Sequence, residues 1–116
     1  MIDFACKRFV IEDIIKCAFG LTRSEMRLFQ YLVDHPGEVF SSEDLAKEIK
    51  LDLTTVQRGL KKLHEANVLL RSQVNQDGGG YHFTYAIVPP EKLRQEIRGL
   101  LQKWLSRVDD ALEKWP

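Results

Sequence analysis

Residues 41–67, SSEDLAKEIKLDLTTVQRGLKKLHEAN, decide the fold. The segment predicts two helices joined by a tight turn. Apolar residues recur at helical spacing on the second helix, about residues 53–66, and form a single stripe. The stripe consists of Val56, Leu60 and Leu63. The opposite face is polar and basic, with no acidic residue in 53–64. This order is typical of a helix-turn-helix whose second helix faces a partner.

The polar face of the second helix carries groups that suit duplex DNA. Hydroxyl and amide groups can hydrogen-bond to base edges, a guanidinium can pair bidentately with guanine, and ammonium groups suit phosphates. The predicted DNA contacts are Thr54, Thr55, Gln57, Arg58, Lys61 and Lys62, with Ser42 at the start of the first helix. The plain alternative is a solvated face of an ordinary amphipathic helix. The partner helix, the turn and the hairpin that follows favour the DNA interpretation.

Two strands are predicted after the recognition helix, at 68–75 and 81–88, because both runs are rich in β-branched and aromatic residues. The glycine-rich tip at 76–80 joins them into a hairpin, which we interpret as a wing. Arg71 and His82 are its predicted DNA contacts. The tip carries no lysine or arginine, so a plain hairpin that closes the core is an equally open alternative.

The flanking segments predict three further helices. Residues 11–19 have apolar positions at helical spacing and end at Gly20, a left-handed stop. Thr22 and Glu25 have the spacing of a capping box that begins the next helix. Residues 35–37, His-Pro-Gly, end it. Pro90 suits the first turn of a last helix that continues to about residue 114.

The last helix carries an apolar stripe that the short helices before it cannot cover. We therefore expect it to pack against the same helix of a second subunit. An alternative is that the stripe belongs to the core of its own chain. The predicted interface residues are Ile14, Leu93, Ile97, Leu100, Leu101, Trp104, Val108 and Leu112.

Composition describes an ordinary globular protein of 116 residues, 44% hydrophobic and 29% charged. One domain is expected at this length. The 17 basic and 17 acidic residues give a net charge of zero, so only a local basic face can support nucleic-acid binding. The sequence shows no phosphate loop, nucleophile elbow or HExxH motif, which predicts that the protein is not an enzyme and needs no cofactor. No membrane span or signal peptide is evident, so a cytoplasmic location is expected.

The two cysteines, Cys6 and Cys17, are too few for a disulfide framework and lack zinc-ligand spacing. No metal site is predicted. Cys17 lies on an apolar helix face, where a buried free thiol is common. Lys7 and Arg8 flank Cys6 and would lower the pKa of an exposed thiol, so a redox-responsive Cys6 is a minor hypothesis.

Residues 21–89 resemble the winged helix-turn-helix of the archaeal TrmB-like and MarR-like transcriptional regulators. The resemblance is carried by LTRSEMRLFQYLVDHPGEVFSSEDLAKEIKLDLTTVQRGLKKLHEANVLLRS and by YHFTYAIVPP before a long helix. It implies a homodimer that binds palindromic double-stranded DNA, with helix 53–66 in the major groove and hairpin 68–88 as the wing. Larger TrmB proteins continue into a sugar-binding domain, whereas this chain ends at Pro116, and no small-molecule effector is indicated. Leu53 stands where a serine cap is common, which leaves Asp52 or Thr54 to cap the helix.

The predicted fold class is therefore mainly α with a small β-hairpin wing. We divide the chain into an N-terminal helical extension (1–20), the winged helix-turn-helix (21–89) and a dimerisation helix (90–116), within one structural domain. Two other functions stay open, because winged helices also serve as protein-interaction modules. One is a protein-binding module in a transcription or repair complex. The other is a thiol-responsive regulator.

Overall fold

The computed structural model describes residues 10–116 in full and the backbone of residues 3–4 and 7–8. Five helices and five short strands follow one another along this part of the chain. In order they are β1 (Asp3–Phe4), β2 (Lys7–Arg8), α1 (Ile11–Phe19), α2 (Arg23–Asp34), β3 (Phe40–Ser41), α3 (Ser42–Ile49), α4 (Leu53–Glu65), β4 (Leu69–Asn75), β5 (Tyr81–Ile87) and α5 (Pro90–Lys114). The predicted α+β winged-helix fold class is confirmed.

The strands form two antiparallel sheets. β1 pairs with β2, and a second sheet has the order β3-β5-β4. β4 and β5 make the predicted hairpin, with Leu69 opposite Ile87 at its base and Asn75 opposite Tyr81 at its tip. The sequence predicts 38–40 only as a short extended piece. The structure adds β3 to the sheet, with Phe40 opposite Tyr85.

Capping side chains fix where α2 and α3 begin. Thr22 and Glu25 form the predicted capping box at α2, and Ser41 and Asp44 form a second one at α3. Each box satisfies backbone amides of the first turn that have no partner within the helix. At the other ends, Gly20 after α1 has the predicted left-handed conformation.

The core lies where α2, α3, α4 and the base of the wing meet. Its largest fully buried side chains are Leu28, Leu32, Leu45, Val56, Leu60, Leu63 and Val68. The predicted stripe of the recognition helix therefore forms the centre of the core. A Cβ atom on Gly59 would lie 2.7 Å from Leu28 Cδ2, so α4 crosses α2 more closely than a larger residue would permit.

α5 is long and has no buried residue. It packs against α1, and Leu93 packs against the core. Beyond that point large apolar side chains stay exposed, with Trp104 61% and Trp115 75% accessible. α1 likewise exposes Val10 and Ile11. Both helices thus leave apolar side chains exposed within residues 10–116.

The sequence makes a prediction for each of the two cysteines of the N-terminal region. The thiol of Cys17 is free and exposed, so the expectation that it is buried on an apolar face is wrong. The hypothesis about Cys6 lies outside the described residues. The division into 1–20, 21–89 and 90–116 stays a prediction.

Candidate nucleic-acid interface

The N-terminus of α4 is fixed by Asp52. Its carboxylate accepts hydrogen bonds from the Thr55 amide at 3.2 Å and from Thr55 Oγ1 at 2.6 Å. Asp52 is therefore the N-cap of α4, which confirms one of the two predicted alternatives, Asp52 and Thr54. These two bonds, with a smaller effect of the Arg58 charge, lower the pKa of Asp52 below its ordinary value. Thr55, predicted to read bases, uses its only hydroxyl hydrogen to hold the cap.

The exposed face of α4 brings most of the predicted DNA contacts together. Thr54, Gln57, Arg58 and Lys61 are all exposed and lie at spacings of three and four residues. Residues at these spacings are neighbours on a helix surface. The face therefore presents a hydroxyl, an amide and two cations on one continuous strip, with the hydroxyl nearest the N-terminus.

Lys62 lies beside this strip and faces α2. Its ammonium donates to Glu25 Oε1 at 2.6 Å and to the Gly20 carbonyl oxygen at 2.9 Å. The same Glu25 oxygen accepts the Thr22 amide at 2.8 Å. The structure thus distinguishes Lys62 from Lys61, because the ammonium of Lys62 is held by α2 and the end of α1. The role of each lysine as a DNA contact stays a prediction.

Glu25 is the buried charged residue of the described chain, with 2% of its surface accessible. Burial disfavours its charged form and raises the pKa. Hydrogen bonds from Lys62 and the Thr22 amide, together with the positive charge of Lys62, outweigh that effect. The pKa of Glu25 therefore lies below its ordinary value, and the carboxylate is ionised at neutral pH.

Two cationic residues that were not predicted lie at the end of α3, Arg27 reaching it from α2 and Lys50 following it in the turn. Arg27 Nη2 donates to the Ile49 carbonyl oxygen at 2.8 Å and satisfies the end of α3. Lys50 follows with a left-handed backbone, φ 54°, and an exposed side chain. A left-handed position usually favours glycine or asparagine, so no residue-type signal marked it. Lys50 adds an exposed positive charge near the start of α4.

Ser42 begins α3, and the cap is Ser41. The Ser42 hydroxyl donates to Glu43 at 3.3 Å and is half-buried. The structure therefore gives Ser42 a local partner. Its role as a DNA contact stays a prediction.

The two predicted wing contacts lie on opposite faces of the hairpin. Arg71 is opposite Tyr85 in register, whereas His82 is opposite Val74, and successive residues of a strand alternate between faces. Arg71 Cζ lies 4.3 Å from the centre of the Phe83 ring. His82 Nδ1 lies 2.9 Å from Gln76 Nε2 at the tip. The structure thus does not bring Arg71 and His82 together. A partner that binds one face of the wing cannot contact both side chains on that face.

The predicted dimer residues follow one side of α5 and reach α1. Ile14, Ile97, Leu100, Leu101 and Val108 are half-buried, while Trp104 and Leu112 are exposed. Leu93 is half-buried and packs against the core of its own chain, and its interface role stays a prediction. Within residues 10–116 none of the helices has both the length and the apolar character needed to cross a bilayer. The same residues contain no group of three His, Cys, Asp or Glu side chains placed to hold a metal ion.

Comparison with known proteins assigns the chain to a family. The model of the DnaD N-terminal domain matches residues 9–108, which include α1 to α4, the wing and α5 as far as residue 108. The chain belongs to the DnaD N-terminal domain family. An uncharacterized protein of Methanocaldococcus jannaschii, MJ1082, is 32% identical to this DnaD N-terminal domain protein over 110 residues. The match covers 94% of this chain and 85% of MJ1082.

Solved structures show the same fold. A possible transcriptional regulator from Methanosarcina mazei Go1 is 43% identical and superposes with a TM-score of 0.84, over 99% of this chain and 96% of that chain. TrmBL2, an archaeal chromatin protein, has a TM-score of 0.58 at 21% identity, over 90% of this chain and 38% of its own. The resemblance of this DnaD N-terminal domain protein to TrmB-like and MarR-like winged-helix regulators is therefore confirmed for the fold.

Proposed function

We propose that this protein is a transcriptional regulator that binds double-stranded DNA as a homodimer, with the exposed face of α4 in the major groove. The observation that carries the proposal is the strip of Thr54, Gln57, Arg58 and Lys61 on the second helix of a helix-turn-helix. A recognition helix needs such a strip at its N-terminal end, clear of the core. The description of the Methanosarcina mazei relative as a possible transcriptional regulator supports the same function.

Each residue of the strip has a distinct role in this proposal. Arg58 pairs with a guanine, Gln57 with an adenine, and Thr54 hydrogen-bonds to an adjacent base edge. Lys61 contacts phosphate and fixes the register without reading sequence. We assign Lys62 to the structural ion pair, because its ammonium already has two partners within the chain.

The dimer supplies the second recognition helix. We propose that α5 packs against the α5 of a second subunit, with α1 alongside, because these helices expose Trp104, Leu105 and Leu112. A symmetric dimer places two α4 helices about 34–36 Å apart, which is one turn of B-DNA. The operator is then a palindrome.

A salt series with a matched variant tests DNA binding through α4. Fluorescence anisotropy measures affinity for mixed-sequence duplex DNA from low to high salt, for the parent and for Arg58→Ala/Lys61→Ala. Lys61 contacts phosphate in this proposal, so its loss should flatten the slope of log affinity against log salt by about one unit. The control, Lys103→Ala/Arg107→Ala, removes two exposed cations from α5 and should keep the parent slope. Equal slopes for all three proteins would refute the proposed interface.

The face of the wing that carries Leu70 and Val74 favours a second candidate function, a protein-binding module. Leu70 is 56% exposed, and Val74 is exposed on the same face. The tip contains Asp77 and glycines but no cation to grip a phosphate. A stable protein partner that is lost in Leu70→Asp, together with no salt-dependent DNA binding by the parent, would select this candidate.

A further inference from the structure

Leu53 is an apolar side chain that stays partly exposed to solvent at the start of α4. It is the first residue of α4 and is 38% exposed. Leu51, two residues earlier, packs against the hydrophobic core, but Leu53 does not belong to that set. Its exposed part is therefore open to a partner at the start of α4.

The helix start is already complete without Leu53. Asp52 provides the cap, and its carboxylate receives the Thr55 amide. The two positions that a hydrophobic staple uses, before the cap and at the fourth helical residue, are occupied by Leu51 and Val56. Neither capping nor stapling requires an apolar residue at position 53.

The neighbours of Leu53 belong to the proposed reading strip. Thr54 follows it directly, and Gln57 lies one turn further along the same side of the helix. The N-terminal residues of a recognition helix are those that approach base edges. In the major groove the one apolar group on a base edge is the C5-methyl of thymine.

We infer that Leu53 is a specificity-determining residue that packs against the C5-methyl group of a thymine in each half-site. The inference rests on the proposed DNA-binding function and adds the base that this position selects. Gln57, one turn away, can pair with an adenine, so the two side chains together select a step that contains A·T pairs. The four-carbon side chain of Leu53 cannot donate or accept a hydrogen bond and therefore discriminates only through this methyl group.

Replacement of thymine by uracil isolates the contact, because it removes the methyl group and keeps every hydrogen-bonding atom of the base. An operator is first selected from random duplex DNA with the parent protein. Each thymine of a half-site is then replaced singly by deoxyuridine, and affinity is measured at fixed salt. Loss of one buried methyl group should weaken the parent about fourfold at one thymine per half-site. Leu53→Ala should bind the operator with that thymine and the operator with deoxyuridine in its place with equal affinity.

A second exposed leucine supplies the control. Leu70→Ala removes the same side chain from the wing and should keep the parent's preference for thymine. Thermal unfolding checks that both variants are folded. If the parent binds its operator in a salt-dependent manner but no thymine is discriminated, or if Leu53→Ala keeps the discrimination, the inference is overturned while the proposed function stands. If the parent binds no duplex at low salt, the proposed function fails and the inference fails with it.

Discussion

Lys62 Nζ lies 2.6 Å from Glu25 Oε1, and this ion pair joins the recognition helix to the first turn of α2. Lys62 also donates to the carbonyl of Gly20 at the end of α1. One ammonium group therefore connects α4 with two other helices. α1 in turn packs against α5.

Although Lys61 and Lys62 are adjacent, their replacement should change the free energy of unfolding by different amounts. Lys62→Met breaks a hydrogen-bonded ion pair with a buried carboxylate and should lower the free energy of unfolding by about 1–3 kcal/mol. Lys61→Met changes an exposed residue and should stay within about 0.5 kcal/mol of the parent. Urea denaturation measures both. Equal stabilities would show that the Lys62 contact does not stabilise the fold.

Stability should fall at acid pH because of Glu25. Its pKa in the folded state lies below the ordinary value of 4.5, so ionised Glu25 stabilises the fold. That contribution is fully present above 4.5 and is lost as the pH falls through the lower folded value. Urea denaturation from pH 7 down to pH 3 should show the loss. Glu25→Gln should remove this part of the pH dependence, and an unchanged profile in that variant would contradict the assignment.

Gly59 should be intolerant of even one added methyl group. In Gly59→Ala the new Cβ lies 2.7 Å from Leu28 Cδ2 at the crossing of α2 and α4, so the buried Leu28 side chain must shift or the helices must move apart. We expect a loss of about 1–3 kcal/mol in the free energy of unfolding, as for other overpacked cores. Gly99→Ala in α5 is the matched control, because no atom lies within 4 Å of its Cβ. It should gain up to about 1 kcal/mol from the better helix former.

The apolar surface of α5 should determine the oligomeric state. Trp104→Asp places a charge in the proposed interface and should convert the dimer to a folded monomer with weaker DNA binding. Gln102→Asp adds the same charge two residues away, on the opposite side of the helix, and should stay dimeric. Light scattering after size-exclusion chromatography measures the masses. A parent protein that is already monomeric at micromolar concentration would refute the dimer.

Local sequence signals were sufficient to predict the helices and the wing. The capping box of Thr22 and Glu25, the stop at Gly20 and the stripe of α4 each depend on residues a few positions apart. Contacts between distant residues were not predictable in this way. Lys62 and Glu25 are 37 positions apart, and no local pattern distinguishes Lys62 from Lys61. It is Lys62 that contacts α2 and the end of α1, so the packing of the helices distinguishes the two lysines.

The wing shows a second limit of the sequence argument. Its two strands and its tip were predicted, but the pairing register decides which residues share a face. Val74 is opposite His82, which places Arg71 and His82 on different sides. A shift of one residue would exchange the faces. Residue type alone therefore predicted more DNA contacts on one face of the wing than the pairing register allows.

Protection of guanine N7 from methylation by dimethyl sulfate tests the central claim most directly, because N7 lies in the major groove. With a selected operator, the parent should protect at least one guanine in each half-site. Arg58→Ala should lose that protection under conditions where it still occupies the DNA. Occupied DNA with no protected guanine N7, or protection that Arg58→Ala leaves unchanged, would contradict the claim that Arg58 on α4 reads guanine in the major groove.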